Sequence, residues 1–481
     1  SWKAGIAGPV KHSAIFDGEE YDARELPGYE TPELLSTPEV NTEFSGEILP
    51  TCGAEIYHRH DLALAPARSY VWKEVTGSSE TEYGKIVIDR EYKAGEPMTI
   101  SEGENLVIDF GQNCAAVPSF EFRAAEGTRL TCLPSEILND GNGAHSRGMD
   151  GPEGSVHRRN LRIQDKGIRL DYTFAGRKGY ETYTPMCTFF GYRFVSITAD
   201  GDVTIRKISS IPVTSIAENL ETGELTTGNE LVNKLISNTV WGQRSNYVEV
   251  PTDCPQRDER QGYTGDGQVY ARTGMYNYDT EAFWRKFLKD IRYSQRENTE
   301  GYVAPTIPAQ GPAGVGFINM LGWANCDTIV PEQLYWQYGD DTPLKEQYDS
   351  MKTLVECEIR HMGEQNLWLA PNLGDWLAPG RDIKFMAMHN GPVSNSFIVN
   401  DLRIMVWAAR HLNRTEDEAR YADQLQKTRA AYEKAFVNAD GTMTDDYQGA
   451  YVMALAYVLE PGAMWDSVFA RLVEKLRTEG I

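Results

Sequence analysis

The sequence predicts a chain of two textures, β-rich up to residue 215 and helical from residue 216 to residue 481. Three observations predict it. Short β-like runs, among them 104–110 (ENLVIDF), 119–123 (SFEFR) and 192–198 (YRFVSIT), alternate with Gly- and Pro-rich turns, the pattern of a β-sandwich or jelly roll. After Gly228 the apolar residues recur at helical spacing instead. The length of 481 residues also exceeds what one core supports, which calls for two or three domains.

Each element rests on its own signal. Residues 139–154 (NDGNGAHSRGMDGPEG) are too Gly-rich and polar for a core element and predict a long loop. Leu231, Leu235 and Ile236 share one helical face, as do Phe283, Trp284, Phe287, Leu288 and Ile291. Pro331 followed by Glu332 marks a helix start, where the carboxylate complements the dipole. Thr415-x-x-Glu418 predicts a capping box opening a helix that runs to about Phe436. The segment 464–477 carries an apolar stripe at Val468, Leu472 and Leu476, with Gly480 as its stop. Ordinary helix lengths predict about eight helices in this part.

Composition narrows the function. Lys and Arg number 47 against 70 Asp and Glu, a formal charge of −23, so the surface repels phosphate backbones and anionic lipid. Nucleic acid is therefore not an expected partner. No apolar run reaches the roughly 18–20 residues that span a bilayer, so membrane insertion is not expected either. The first residues lack the charged start and apolar stretch of a signal peptide. Seven scattered cysteines without a C-x-x-C argue against disulfides and zinc, and read mostly as buried apolar residues. An 11% aromatic share in an acidic chain suits neutral polar ligands such as sugars, whose C–H faces stack on rings.

The chemistry concentrates in residues 251–266. This stretch holds the carboxylates Asp253, Asp258, Glu259 and Asp266, the arginines Arg257 and Arg260, two prolines and two glycines. Proline and glycine preclude a continuous helix, so a structured loop is expected, the kind of segment where catalytic groups sit. Crowded carboxylates push one another's proton affinities apart, so one can serve as an acid while its neighbours stay charged. The arginines would orient and neutralise the charged ones. The spacing lacks the alternation of a calcium loop, and no dinucleotide, Walker or serine-hydrolase signature occurs. No metal and no cofactor are expected.

The run DCPQRDERQGYTGD (253–266) resembles the catalytic-loop motif of bacterial α-L-rhamnosidases, glycoside hydrolase family 78, which reads roughly D-C-P-Q-R-D-E-R-x-G-[WY]-x-G-D. Further matches follow in family order: residues 2–24 with GP (8–9) and GEEYDAR (18–24), then IDFGQN (108–113) and FGYRFV (190–195), then Gly322-Trp323, Tyr338-Gly339-Asp340 and Gly374-Asp375-Trp376. The resemblance implies the end of an accessory β-domain over 1–48, a concanavalin- or jelly-roll-like β-sandwich over 49–215, and an (α/α)6-toroid catalytic domain over 216–481 that is incomplete at its C-terminus.

By the same resemblance the activity is inverting, exo-acting hydrolysis of terminal α-L-rhamnosyl residues from an oligosaccharide or glycoside. Glu259 is the implied general acid. Asp253, Arg257 and Asp266 are implied to hydrogen-bond sugar hydroxyls, with Tyr263 at an aromatic position of the motif. Trp323 and Trp376, the latter beside Asp375, are implied as apolar walls of the sugar site. After Trp323 the family continues Gly-Asp, whereas this chain has Ala324-Asn325-Cys326-Asp327, and an amide at 325 cannot act as a base. Inversion needs a second carboxylate roughly 6.5–9.5 Å from the acid. The family's is a Glu lying beyond residue 481, and Glu332, Glu356 and Asp375 are not substitutes. The chain is accordingly expected to be a piece of a longer protein. A different inverting (α/α)6 glycosidase, of arabinosidase or fucosidase type, or a sugar-binding protein without turnover, are the competing readings.

Overall fold

The computed structural model describes residues 3–5, 8–25, 30, 33, 35–40, 42–46, 48, 50, 53, 55–141, 149–161, 167–257, 259–309, 320–372, 374–378 and 380–480. Trp2, Cys52, Asp258 and the middle of the 139–154 loop lie outside them. Contacts divide the chain into two compact units, Ser1–Arg260 and Gln261–Ile481.

The first unit is organised around the strand Asn105–Ala124. The two short runs expected at 104–110 and 119–123 are a single strand of 20 residues. Gly111 sits in it at φ +77°, and its N–H donates to the Asp109 carboxylate at 2.7 Å. Glycine reaches that backbone region without steric cost, so the chain turns locally while the ladder continues. Strands Arg68–Thr76 and Phe190–Ala199 flank its first part, and Glu181–Tyr183 and Val203–Thr214 its second. The sheet extends through Arg129–Ser135 and Arg169–Thr173 to Gly18–Asp22, paired in parallel, and Val10–Ala14. Residues near the N-terminus are thus hydrogen-bonded into this same sheet. Phe122, Tyr172 and Phe174 pack with centroids 4.6–5.0 Å apart in its core. The polar ends of nearby rings are satisfied: Tyr172 donates to Glu181 at 2.9 Å and Tyr183 to Glu19 at 2.8 Å.

Helix α1 (Glu230–Asn246) completes this unit, capped by Asn229, whose side chain accepts from the Leu231 and Val232 amides. Its predicted apolar face is a correction. Leu231 and Leu235 are 81% and 65% exposed, not core. The helix meets the sheet through its last turns, where Trp241 packs on the core and the Ser245 hydroxyl accepts the Ala115 amide.

The second unit is helical: α2 (Thr264–Asn277), α3 (Glu281–Arg296), α4 (Cys326–Tyr338), α5 (Thr342–Met362), α6 (Ile383–His389), α7 (Gly391–His411), α8 (Thr415–Phe436), α9 (Gln448–Met453) and α10 (Ala463–Glu479). With α1 that makes ten among the described residues against about eight expected, because α6 and α9 are too short for a periodicity to register. In α3 the five predicted apolar residues are all buried, each worth about 1.5–3 kcal/mol. Leu344, Tyr348, Met351 and Val355 of α5 meet Ile398, Leu402 and Met405 of α7 in one cluster. Val468 and Leu472 of α10 join Tyr432, Tyr451 and Val393 in another, and Gly480 ends α10 at φ +83°.

Two helix-start expectations are corrected. Pro331 lies inside α4, which begins five residues earlier, and forgoes only the bond to the Asp327 carbonyl. Glu332 there accepts a two-pronged pair from Arg403, at 2.8 and 2.9 Å, instead of serving a helix dipole. Thr415 is the first helical residue of α8 and forms no capping box, since Arg414 holds the cap position and Glu418 accepts from Arg410.

Candidate active site

The motif loop leaves α1 through a short hairpin, Tyr247–Val248 with Val250–Pro251. The turn residue Glu249 adopts φ +64°, and its amide donates to the Ser215 hydroxyl at 2.8 Å. The Ser215 amide in turn donates to the Tyr247 carbonyl at 2.7 Å, so the end of strand Val203–Thr214 fixes where the loop departs. Beyond it the loop closes on strand Phe190–Ala199 at Gly191. A Cβ there would stand 2.7–2.8 Å from backbone atoms of Pro255 and Gln256, so only glycine admits the approach.

Arg260 pins the far end of the loop. It is 6% exposed, in the left-handed region at φ +46°, between the rings of Phe16 and Phe189. Its guanidinium donates to the Ile15 and Phe189 carbonyls, both at 2.6 Å, and to the Arg257 carbonyl at 2.9 Å. Of the two arginines, Arg257 is the one paired with described carboxylates, while Arg260 gives three bonds to backbone carbonyls.

Arg257 gathers the charged groups. It forms a close ion pair with Glu259 and stands 3.8 Å from Asp253, and the side chains of both acids are largely buried. The possible ligand atoms of Asp253, Cys254 and Glu259 lie within 4.8 Å of one another. As a metal site this set fits poorly. Burial, reinforced by the hydrogen bond to Asp253, pushes the Cys254 thiol up to about 12, and Arg257 already supplies the countercharge. Sequence reasoning missed Glu136. Its carboxyl is raised by burial, accepts from Asn113 of the IDFGQN segment at 2.8 Å, and feels the Arg257 charge.

In the second unit, backbone bonds from Thr264 to Pro305 and from Ile307 to Gly262, both 2.9 Å, tie down the start of α2. A cavity of about 1150 Å³ opens beside that start, larger than the usual small-molecule cleft. Asp266, Trp323, Asp375 and Trp376 all line it. Tyr263 caps α2 but is not among the described lining residues. Gly265 explains one motif position: a Cβ there would stand 2.8–2.9 Å from three atoms of the Trp323 indole, so the ring lies directly on the first turn of α2. Asp375 is half-buried, which raises its carboxyl, and it reaches the cavity wall beside Gly449. Phe397, Tyr447 and Gly449 also line the cavity and were not singled out from sequence, since they lie far from any motif.

Residues 220–481 match the bacterial alpha-L-rhamnosidase 6 hairpin glycosidase domain, and residues 84–214 the bacterial alpha-L-rhamnosidase concanavalin-like domain. The fold is thus a concanavalin-like β domain followed by a six-hairpin glycosidase domain. Among curated relatives, an alpha-L-rhamnosidase of Formosa agariphila is 29% identical over 99% of this chain and 47% of its own length. One of Streptomyces avermitilis is 29% identical over 98% of this chain and 40% of its own. The chain spans about half the length of the curated relatives it matches, or less. Among solved structures, the Streptomyces avermitilis alpha-L-rhamnosidase complexed with L-rhamnose aligns with TM-score 0.79 at 26% identity, covering 98% of this chain and 41% of that one. The Aspergillus terreus enzyme aligns with TM-score 0.77 at 26% identity, covering 98% and 50%. With more than half of its length matched by the helical glycosidase domain, the chain belongs to the bacterial α-L-rhamnosidase family, glycoside hydrolase family 78.

Proposed function

We propose that the protein carrying this chain is an inverting, exo-acting α-L-rhamnosidase that releases terminal L-rhamnose from an oligosaccharide or glycoside without a cofactor. The observation that carries the reading is the convergence of Asp253, Arg257 and Glu259 on one anchored loop, within the segment matched by the glycosidase domain. Glu259 is the general acid that protonates the leaving glycosidic oxygen. Glu259 pairs with Arg257, so a sugar hydroxyl that binds Arg257 competes with Glu259 for the guanidinium. Asp253 and Arg257 then hold hydroxyls, with Asp266, Asp375 and Tyr263 as further polar contacts. Trp323 and Trp376 offer apolar faces to the ring carbons and the C6 methyl group. The base that activates water is, by the family resemblance, a glutamate outside these 481 residues.

Release of p-nitrophenol from p-nitrophenyl α-L-rhamnopyranoside tests this. Turnover by the whole protein, reduced about 10²–10⁴-fold by Glu259→Gln, is the expected result. Turnover only of an arabinoside or fucoside would move the substrate assignment and leave the acid in place. Sugar binding without turnover of any glycoside would overturn the enzymatic reading.

A further inference from the structure

Beneath the Trp323 wall lies a hydrogen-bonded post that the reaction itself does not use. The turn that presents Trp323 runs from Met320 to Asn325, closed by the Trp323 and Ala324 amides on the Met320 carbonyl at 2.9 Å. Gly322 in that turn has φ +94°, and a Cβ on it would crowd the Phe397 ring at 3.3 Å. Backbone in this region is strained for other residues and keeps its shape only when its surroundings hold it. Two side chains bond it directly, and two more brace one of them. Gln268 of α2 donates to the Gly322 carbonyl at 2.9 Å, and the Asn325 side-chain oxygen accepts the Gly322 amide at 2.5 Å. The Asn325 NH2 group then donates to Asp401 of α7 at 2.6 Å, and the other Asp401 oxygen accepts the Thr328 hydroxyl at 2.5 Å. Asn325, Thr328 and Asp401 are all fully buried. Glu358 of α5 approaches the same Asn325 nitrogen at 3.5 Å.

The arrangement explains why an amide suits position 325. It must accept from a backbone N–H on one side and donate to a carboxylate on the other, and an amide does both whatever the pH, from two separate atoms that reach opposite partners. Hydrogen bonds to charged groups in a dry interior are among the stronger ones, and orphaning a member leaves the rest unsatisfied. From α7, Asp401 thus reaches the cavity wall through Asn325 and Gly322 without touching the cavity.

We propose that Asp401 and Asn325 are positioning residues for the sugar site, fixing the Gly322 turn and with it the plane of the Trp323 indole. The sugar part of this inference rests on the rhamnosidase reading; the turn part does not. The test compares Asp401→Leu, Asn325→Ala and Asp401→Asn by hydrogen–deuterium exchange of the peptide spanning residues 321–325 and by calorimetric affinity for L-rhamnose. Asp401→Asn keeps one oxygen to accept from Asn325 and turns its NH2 to the Thr328 hydroxyl, which can accept that bond and donate its own proton to the Asn325 carbonyl 3.0 Å away. It should stay within about twofold of wild type in both measurements. Asp401→Leu and Asn325→Ala should each speed exchange about tenfold or more and weaken rhamnose affinity by a similar factor. Should Asp401→Leu not fold, Asn325→Ala decides, since it removes the relay and leaves the carboxylate bonded to Thr328. A folded Asn325→Ala with wild-type exchange at Gly322 overturns the proposal. If wild type binds no rhamnose while exchange responds as expected, the positioning role stands and the rhamnosidase reading fails.

Discussion

Replacing Arg260 by Met asks whether the motif loop is held by charge donated to backbone. Methionine keeps an apolar stem beside Phe16 and Phe189 but removes every donor and the guanidinium over both rings. Three carbonyls, of Ile15, Phe189 and Arg257, lose partners at 2.6–2.9 Å in a site where the side chain is 6% exposed. Hydrogen bonds to charged groups contribute about 1.5–3 kcal/mol each. Much of that sum is offset because the variant no longer buries a cation, which itself costs several kcal/mol. A net loss of about 3 kcal/mol follows. For a unit of this size each kcal/mol lowers Tm by roughly 2–4 °C, so the transition of the first unit should fall by about 6–12 °C in a calorimetric scan. Lysine should not rescue it, since a compact ammonium cannot span carbonyls that the fork reaches on two sides. A Met variant melting within 2 °C of wild type would refute the reasoning and reduce Arg260 to packing.

Three further outcomes follow from the geometry. Gly265→Ala drives a Cβ into the Trp323 indole at 2.8 Å, so kcat/KM on the rhamnoside should fall about 10–100-fold while Tm drops by about 2–12 °C; unchanged kinetics would mean the ring does not face the substrate. Asp327, fully buried, is raised by burial to about 7 from 3.8. Its folded value exceeds its unfolded one, so the stability it supplies is complete below about pH 4 and lost as pH rises through 7. Asp327→Asn should therefore gain on wild type by up to about 4 kcal/mol between those limits, and parallel urea midpoints at pH 4 and pH 7 would exclude it. Glu332→Gln weakens the two-pronged pair with Arg403, whose side chain is 42% exposed, and should cost about 1 kcal/mol by urea titration with no effect on rhamnose affinity.

What the sequence disclosed and what it hid divide along physical lines. Helix α3 was legible because five large side chains repeat at its period and all of them are buried. The same periodicity on α1 misled, because Leu231 and Leu235 repeat correctly yet project away from the sheet. Periodicity reports that a face exists, not what meets it. The single strand Asn105–Ala124 reads as two because Gly111 looks like punctuation, whereas strand Phe190–Ala199 pairs with it on both sides of that glycine, across one irregularity. Pro331 predicts a helix start, since that is proline's favoured position, whereas the helix tolerates it inside by losing one bond. Among candidate site residues, the convergence of Asp253, Arg257 and Glu259 was readable because they crowd one loop. Glu136, Asn325 and Asp401 were not readable as partners, since each acts across tens of residues through bonds that no local pattern encodes.

The length of the motif then has a physical reason beyond its chemistry. Its charged residues alone would need only Asp253, Arg257, Glu259 and Asp266, and such a set could be scattered. The intervening residues each answer a backbone requirement. Pro255 and Gln256 lie against Gly191, Arg260 returns the chain to the Ile15 and Phe189 carbonyls, Thr264 bonds to the Pro305 carbonyl, and Gly265 makes room for Trp323. A general acid works only if its carboxyl is placed to within a fraction of an ångström. A loop free of helix and sheet ladders must obtain that precision from its own contacts. If Glu259 is the acid, as proposed, substitutions at Gly191 and Arg260, which carry no reacting group, should depress kcat through it as strongly as many substitutions in the proposed sugar pocket depress binding. The sharpest case is Gly191→Ala, because its Cβ meets backbone, which cannot swing aside as a side chain can. Its kcat should fall about tenfold or more while KM moves little, and a variant that instead raised KM alone would place the loop in binding and not in proton transfer.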